Sequence, residues 1–204
     1  MKHTDKRRIA RAIRNAVPGL YEKGNLLAAT PRGRVLRGIY LEGSSADPHG
    51  VYLSMFVQPL YVPATTIALS LGDRLGGGCK TWSADEAEAA AAIVREQGVP
   101  FFGPMTSPED LASWSYLDDR PDEYGQEAKA YSLIAAERYI EGIRALRKLA
   151  DSLRDDQDIP WVIKTRDRAE QLAALAESNP PAAHQLLAQW EAETVAALRL
   201  QDVP

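Results

Sequence analysis

Residues 51–72, VYLSMFVQPLYVPATTIALSLG, form the most apolar stretch of the chain and constrain its fold more than any other segment. Polar side chains and prolines interrupt the stretch, among them Ser54, Gln58, Pro59 and Pro63. These interruptions exclude a membrane-spanning helix. The β-branched and aromatic residues of the stretch predict buried β-strands instead.

The first half of the chain contains four segments with strand composition, separated by turn residues. They are residues 26–30, 35–43, 51–60 and 66–71. The turn Pro31-Arg32-Gly33, the loop SSADPHG and a bend at Pro63 connect them. Connections this short favour an antiparallel meander over parallel crossover units. The pattern therefore predicts a four-stranded antiparallel sheet.

Side chains alternate between the two faces of a strand, so odd and even positions define two surfaces of this sheet. The odd positions are almost all aliphatic, with Arg37 as the exception, and predict the core face. The even positions are smaller and more polar, and they include Tyr40, Tyr52, Phe56 and Gln58. Aromatic residues in such a setting are typical of the centre of a partner-binding surface. The alternative is that a C-terminal helix of the same chain covers this face.

Residues 5–17 predict an amphipathic helix that Pro18 and Gly19 end. We expect this helix to lie against the odd face of the sheet. Residues 84–97 predict an alanine-rich helix, with a capping box at its start and Gly98 as its stop. The following residues, VPFFGPMTSP, predict a loop or an extended segment.

The C-terminal half of the chain has helical periodicity. Helices are expected at residues 108–116, 122–153, 166–177 and 181–200. The longest would extend over about 45 Å if it were unbroken, and Gly142 is the expected bend. The sequence thus predicts an α+β protein: a four-stranded antiparallel meander with an N-terminal helix in residues 1–117, and a C-terminal helical bundle or hairpin in residues 118–204.

The net charge of −4 is unevenly distributed along the chain. Residues 1–16 carry six Lys and Arg against one Asp, a balance of +5, which leaves −9 for the remainder. On the first helix, Arg7, Arg11 and Arg14 would give weak, salt-dependent contact with phosphates. No aromatic residues accompany them to stack on bases, so pairing with the protein's own acidic groups is the alternative. The acidic body is not typical of a dedicated nucleic-acid-binding protein.

Residues 72–82, GDRLGGGCKTW, follow a predicted strand and precede a helix, as a phosphate-binding loop would. Their spacing excludes a Walker A motif, because Cys79 rather than glycine precedes Lys80. A looser anion site of backbone amides and a flexible glycine linker are the two remaining interpretations. Cys79 would need a nearby histidine to act as a nucleophile, and His49 is the nearest in sequence.

Composition predicts neither a metal site nor a cofactor. The three histidines lie far apart, without the spacing of metal ligands: His3, His49 and His184. One cysteine excludes an intrachain disulfide and fits a reducing compartment. The N-terminus has no apolar segment of signal-peptide length. A cytoplasmic protein without membrane contact is therefore expected.

The order of a basic amphipathic helix, GRVLRGIYLEG, VYLSMFVQPLYVP, IALSLGDRL and a tryptophan resembles small bacterial α+β domains of unknown function. Some of those domains are associated with toxin–immunity or phage-defence loci. The resemblance extends to about residue 110 and rests on pattern. It implies a protein that works by binding, and it supplies no catalytic residue.

The sequence therefore predicts a protein–protein interaction module, of the immunity or phage-defence type, that presents the even face or the long helix to a partner. One alternative is a small enzyme or ligand-binding protein with its site near residues 72–81. Another is weak nucleic-acid binding through the N-terminal helix. Self-association through the long helix is a further hypothesis.

Overall fold

The structure is a computed structural model that describes residues 3–45, 47–118, 120, 122–154 and 158–204. The chain divides into two compact units. The sheet unit comprises Met1–Gln58, Ile67–Thr106 and Arg199–Pro204, and the helical unit comprises Pro59–Thr66 and Ser107–Leu198. The sequence pattern instead predicts a single division of the chain, after residue 117. No helix of the described residues is long and apolar enough to cross a membrane.

The sheet unit is built on antiparallel strands that follow one another in sequence order. They are β1 (Leu20–Lys23), β2 (Leu26–Ala29), β3 (Val35–Gly43), β4 (Val51–Pro59) and β5 (Gly72–Arg74). The predicted antiparallel sheet is confirmed, but in the described part of the chain it has five strands rather than four. Its first strand, LYEK, lacks the apolar alternation by which a strand is recognised.

Residues 66–71, predicted as the last strand, lie outside the strands of the structure. Pairing with β4 begins only at Leu71, whose carbonyl accepts a hydrogen bond from the Val57 amide at 2.9 Å. Three residues earlier, the Ala68 amide donates to Oε1 of Gln58 at 3.0 Å. A side-chain acceptor thus satisfies this backbone group, and the strand begins later than its apolar pattern predicts.

The odd face of β3 and β4 is buried, as predicted, except that Met55 is only partly buried. Six of its aliphatic side chains are at most 2% exposed: Val35, Ile39, Leu41, Val51, Leu53 and Val57. Arg37, the exception in the pattern, is also buried, and its Nη1 donates to the carbonyl of Pro31 at 3.2 Å. Each buried aliphatic side chain contributes about 1.5–3 kcal/mol, so this face supplies much of the core of the sheet unit.

Two helical segments complete the sheet unit. The first is α1 (His3–Ala16), the predicted amphipathic helix. The second is a continuous run of a 3₁₀ turn (Ala84–Glu86), α2 (Ala87–Ile93), a π turn (Val94–Gly98) and α3 (Val99–Phe102). Helix α1 packs on α2, and its Ile9 and Ile13 are completely buried.

The predicted helix stop at Gly98 is wrong. Gly98 has a right-handed φ of −68° and the helical run continues through Phe102, where a loop was expected. A Cβ on Gly98 would lie 3.2 Å from Cδ1 of Ile39 on the odd face. The missing side chain therefore serves a close approach of the helix to β3 rather than a left-handed cap. The capping box of Ser83 and Glu86 is confirmed.

The helical unit contains the remaining helices, and consecutive members from α5 to α8 pack on each other. They are α4 (Pro108–Ala112), α5 (Glu123–Ala135), α6 (Tyr139–Ser152), α7 (Pro160–Ser178) and α8 (Pro180–Ala197). Helix α7 begins at Pro160 rather than at residue 166, because proline is well suited to the first position of a helix. The predicted helical C-terminal half is confirmed.

The single long helix predicted for residues 122–153 is wrong, since it is two helices with a break at residues 136–138. Glu137 has a left-handed φ of 63°. Its amide donates to the Ile134 carbonyl at 3.0 Å, and the Arg138 amide donates to the Leu133 carbonyl at 2.8 Å. These two bonds are the Schellman motif, which ends a helix and satisfies its last carbonyls.

Gly142 does not bend a helix, although the sequence pattern predicts a bend there. A Cβ at Gly142 would lie 2.5 Å from Cδ1 of Ile134. The glycine is thus needed for the close packing of α6 on α5, and the break between them lies earlier, at Glu137.

A polar network lies inside the helical unit. Glu127 is 4% exposed, and its Oε1 lies 3.2 Å from Nη2 of Arg168. Burial raises the pKa of the Glu127 carboxyl despite the opposing guanidinium. Tyr61 and Ser132, also fully buried, share a hydrogen bond of 2.7 Å between their hydroxyls. The Glu127–Arg168 pair joins α5 to α7. Removing either residue would leave the other charge buried and unpaired, and breaking a buried ion pair in this way is costly.

Replacing Glu137 with glycine should stabilise the protein, because a left-handed φ strains a residue that carries a Cβ. We expect E137G to raise the free energy of unfolding by about 1 kcal/mol in urea denaturation. Glu170, exposed within α7, provides the matched control, and E170G should lower the same quantity by about 1 kcal/mol. Destabilisation by both changes would contradict the Schellman assignment.

Candidate functional site

The even face of the sheet is exposed at one end only. Tyr40 and Tyr52 are half-buried, whereas Phe56 and Gln58 have no exposed surface. Neither Phe56 nor Gln58 is therefore available to a partner in this structure. The accessible part of the predicted binding face lies where β3 ends and β4 begins.

Residues 67–71 provide part of the cover on the even face. Their backbone meets Gln58 through the Ala68 amide, which gives the buried side-chain amide a hydrogen-bond partner. Leu69 lines the same hollow as Ser54. The segment thus lies over the even face, where the sequence pattern predicts a fourth strand beside β4. This displacement is why the parity rule identifies the two faces but not how much of each is exposed.

Four side chains meet on the open end of the even face. Ser54 Oγ donates to Oε2 of Glu42 at 3.1 Å, and Nη2 of Arg74 lies 3.6 Å from the same oxygen. The guanidinium carbon of Arg74 lies 4.1 Å from the centre of the Tyr52 ring. We refer to Glu42, Tyr52, Ser54 and Arg74 as the Tyr52–Arg74 patch.

Strand register places these side chains together. Ser54 of β4 is the register partner of Arg74 of β5, so both side chains point to the same face. Tyr52 precedes Ser54 by two residues and shares that face. Tyr40 precedes Glu42 by the same spacing on β3, which places Tyr40 beside the patch.

The patch borders an open hollow of about 270 Å³. Glu42, Ser54 and Arg74 line it on the polar side, together with Asp73, and Leu69 supplies an apolar wall. A guanidinium held over an aromatic ring keeps several N–H donors for a ligand, because it has five in a fixed plane. Carbonyl and carboxylate groups are the acceptors that such donors recognise best.

Sequence reasoning missed Arg74 as a member of the site. The residue lies in a three-residue strand, which is too short for its alternation to be recognised. Continuing the even parity of residues 66–72 by one step would have placed Arg74 on the same face as Tyr52. The sequence therefore contained the alternation needed to place Arg74 on this face. The glycines that follow made the segment resemble a linker instead.

The glycine-rich segment is held at both ends by charged side chains. Arg74 Nη1 donates to the Gly78 carbonyl at 3.2 Å. Lys80 Nζ lies 2.5 Å from Oε1 of Glu86, and this hydrogen bond lowers the pKa of the Glu86 carboxyl. Since Lys80 is paired with the start of the helical run, it is not directed at an anion in the loop.

The thiol and the histidine considered for nucleophilic catalysis lie in different loops. Cys79 is an exposed free cysteine and His49 is exposed in the β3–β4 hairpin. Among the described residues no hydrogen bond joins the two. No cluster of His, Cys, Asp or Glu suited to a metal ion occurs in the described ranges either.

The basic residues of α1 have divided roles. Arg14 Nη1 lies 3.0 Å from Oε2 of Glu22, so this cation is paired within the sheet unit. Arg7 and Arg11 are exposed. Arg7 borders a hollow of about 340 Å³ with Lys6, whose pKa is lowered by burial. All three arginines predicted for phosphate contact are thus exposed, and Arg14 is also paired with a carboxylate of the same unit.

No protein-family model, curated protein or solved structure matches the chain.

The two aromatic residues of the even face should differ sharply in their contribution to stability. Phe56 is completely buried, so F56A should lower the free energy of unfolding by about 3–5 kcal/mol. Y52A should lower it by about 1 kcal/mol, because Tyr52 keeps part of its surface in water. Urea denaturation of both variants measures the difference. Equal losses would show that the even face is covered along its whole length.

Proposed function

We propose that the protein is a protein–protein interaction module that binds its partner through the Tyr52–Arg74 patch and the adjacent Tyr40. The observation that carries the proposal is the stacking of Arg74 on Tyr52 beside the Glu42 carboxylate. Tyrosine and arginine are enriched among the residues that dominate protein–protein binding energies. Here the two lie together on a rigid strand pair and remain partly exposed.

The patch also has the polarity expected of an interface centre. Tyr52 offers an apolar ring, and Arg74 and Glu42 offer a donor and an acceptor at its edge. Because Arg74 is already ordered by the Tyr52 ring and the Gly78 carbonyl, a partner would lose less side-chain entropy on binding. This preorganisation favours recognition of a folded protein.

The resemblance to small bacterial domains of toxin–immunity and phage-defence loci supports a cognate protein as the partner. In this proposal the protein acts in the cytoplasm as an immunity or defence-associated factor. A small-ligand site in the same hollow is the second candidate, favoured by the convergence of Glu42, Ser54 and Arg74 on about 270 Å³.

Charge reversal of Arg74 tests the proposal. Tagged wild-type protein should capture a partner from a lysate of the native host, and R74E should capture at least tenfold less of it, as expected for an interface arginine. Arg95 is exposed on the π turn, and R95E is the matched control that should capture as much as wild type. Quantitative mass spectrometry of the captured proteins measures the ratio, and thermal melting checks that each variant is folded.

If every captured protein is retained equally by folded R74E, the patch is not the protein-binding site. A bound small molecule that co-purifies with wild type and is absent from R74E would then identify the hollow as a ligand site.

A further inference from the structure

A second candidate surface lies on α6, in the helical unit, and is independent of the Tyr52–Arg74 patch. It is an open hollow of about 600 Å³ between α6 and the end of α7. Its lining includes Ile140, Ile143, Arg144, Arg147 and Lys148 of α6 and Glu177 of α7. We refer to it as the α6 groove.

Among the described residues of the helical unit, the most exposed large apolar side chain lies in the α6 groove. Ile140 is 79% exposed, and Ile143 beside it is partly buried. Leaving an isoleucine in water forgoes the gain of burying it, about 1.5–3 kcal/mol. The residue thus provides a ready apolar anchor for a bound partner.

The groove extends along the helix axis. The lining residues of α6 follow one another at spacings of four, three and four positions: Ile140, Arg144, Arg147 and Asp151. This spacing places them in one stripe, as in the seam of a coiled coil. At 1.5 Å per residue the stripe is about 16 Å long, three turns of a helix. Its length and shape fit a second helix lying alongside α6.

The charges of the groove are only partly neutralised. Arg147 is paired with Glu177 at 2.6 Å, and Asp151 is paired with Arg154 at 2.9 Å. Within the described ranges, neither Arg144 nor Lys148 forms an ion pair. The groove therefore carries an excess of positive charge on a chain whose net charge is −4.

Positive charge continues on the other side of Lys148. The same side chain borders a second hollow of about 430 Å³, together with Arg120 and Lys129. Lys129 is neutralised by Asp118 at 2.9 Å, while Arg120 stacks on the Tyr116 ring at 4.4 Å. Lys148 thus stands between two hollows that are both rimmed by cations.

We infer that the α6 groove binds an acidic amphipathic helix of a partner protein. Apolar side chains of that helix would cover Ile140 and Ile143, and its carboxylates would pair with Arg144 and Lys148. Such a helix would bury the exposed isoleucine and neutralise the unpaired cations. A nucleic acid would leave Ile140 in water, and a two-fold contact with a second copy would bring like charges together.

Selection of peptides from a random display library on the full-length protein tests the inference. The enriched peptides should be acidic, with apolar residues at spacings of three and four. Their affinity, measured by fluorescence anisotropy, should fall at least tenfold in I140D and in K148E. K164E changes an exposed lysine of α7 and should leave the affinity within a factor of two. Circular dichroism checks that each variant is folded.

Three outcomes would overturn the inference. The first is the absence of enrichment, or enrichment of neutral or basic peptides. The second is equal binding by wild type, I140D and K148E. The third is that a different occupant takes the groove: a single-stranded oligonucleotide or vesicles containing phosphatidylserine displace the peptide at physiological salt, or wild type self-associates in light scattering and I140D does not.

The variant R74E separates this inference from the proposed function. Peptide binding that is unchanged in R74E places the peptide away from the sheet and supports the α6 groove. Binding that is lost in R74E and retained in K148E would assign the peptide to the Tyr52–Arg74 patch and overturn the inference for α6.

Discussion

Side-chain alternation along β4 is the constraint on which the sheet unit depends. Val51, Leu53 and Val57 at odd positions are buried in the core and Met55 is partly buried, while the even positions face the other side. The cover on that other side increases along the strand, from the half-buried Tyr52 to Phe56 and Gln58, which have no exposed surface. This gradient confines the candidate binding site to one end of the sheet.

The late start of β5 decides how much of the even face is covered. Residues 67–71 lie over the even face, and their contact with the Gln58 amide satisfies the polar side chain of an otherwise apolar strand end. Pairing then begins at Leu71 and places Arg74 beside Ser54. Strand register thus determines which cation reaches the patch, while residues 67–71 cover part of the even face beyond it.

Much of the architecture could be predicted from local pattern. Long alternating strands such as Val35–Gly43 and the capping box at Ser83 have signals within a few residues. The errors arose where packing decides the role of a residue. Gly98 and Gly142 resemble a stop and a bend in sequence, yet both provide close packing, while the real break uses Glu137 in a conformation that favours glycine. Two of the four predicted partner-binding residues, Phe56 and Gln58, are inaccessible. Their burial depends on residues 67–71, which the strand pattern places beside β4 rather than over the even face.

The two candidate surfaces differ in chemistry. The patch on the sheet combines an aromatic ring with a paired guanidinium, whereas the α6 groove combines an exposed isoleucine with unpaired cations. Each belongs to a different compact unit. A protein with two such surfaces could bind two partners at once.

Hydroxyl-radical footprinting of the wild-type protein tests the gradient of cover along β4 most directly. Tyrosine and phenylalanine both react with the radical, and peptide mass spectrometry gives a separate oxidation rate for each residue. The structure requires that Tyr52 be oxidised readily while Phe56 is protected until the protein is denatured. Comparable oxidation of Tyr52 and Phe56 in the folded protein would contradict the account.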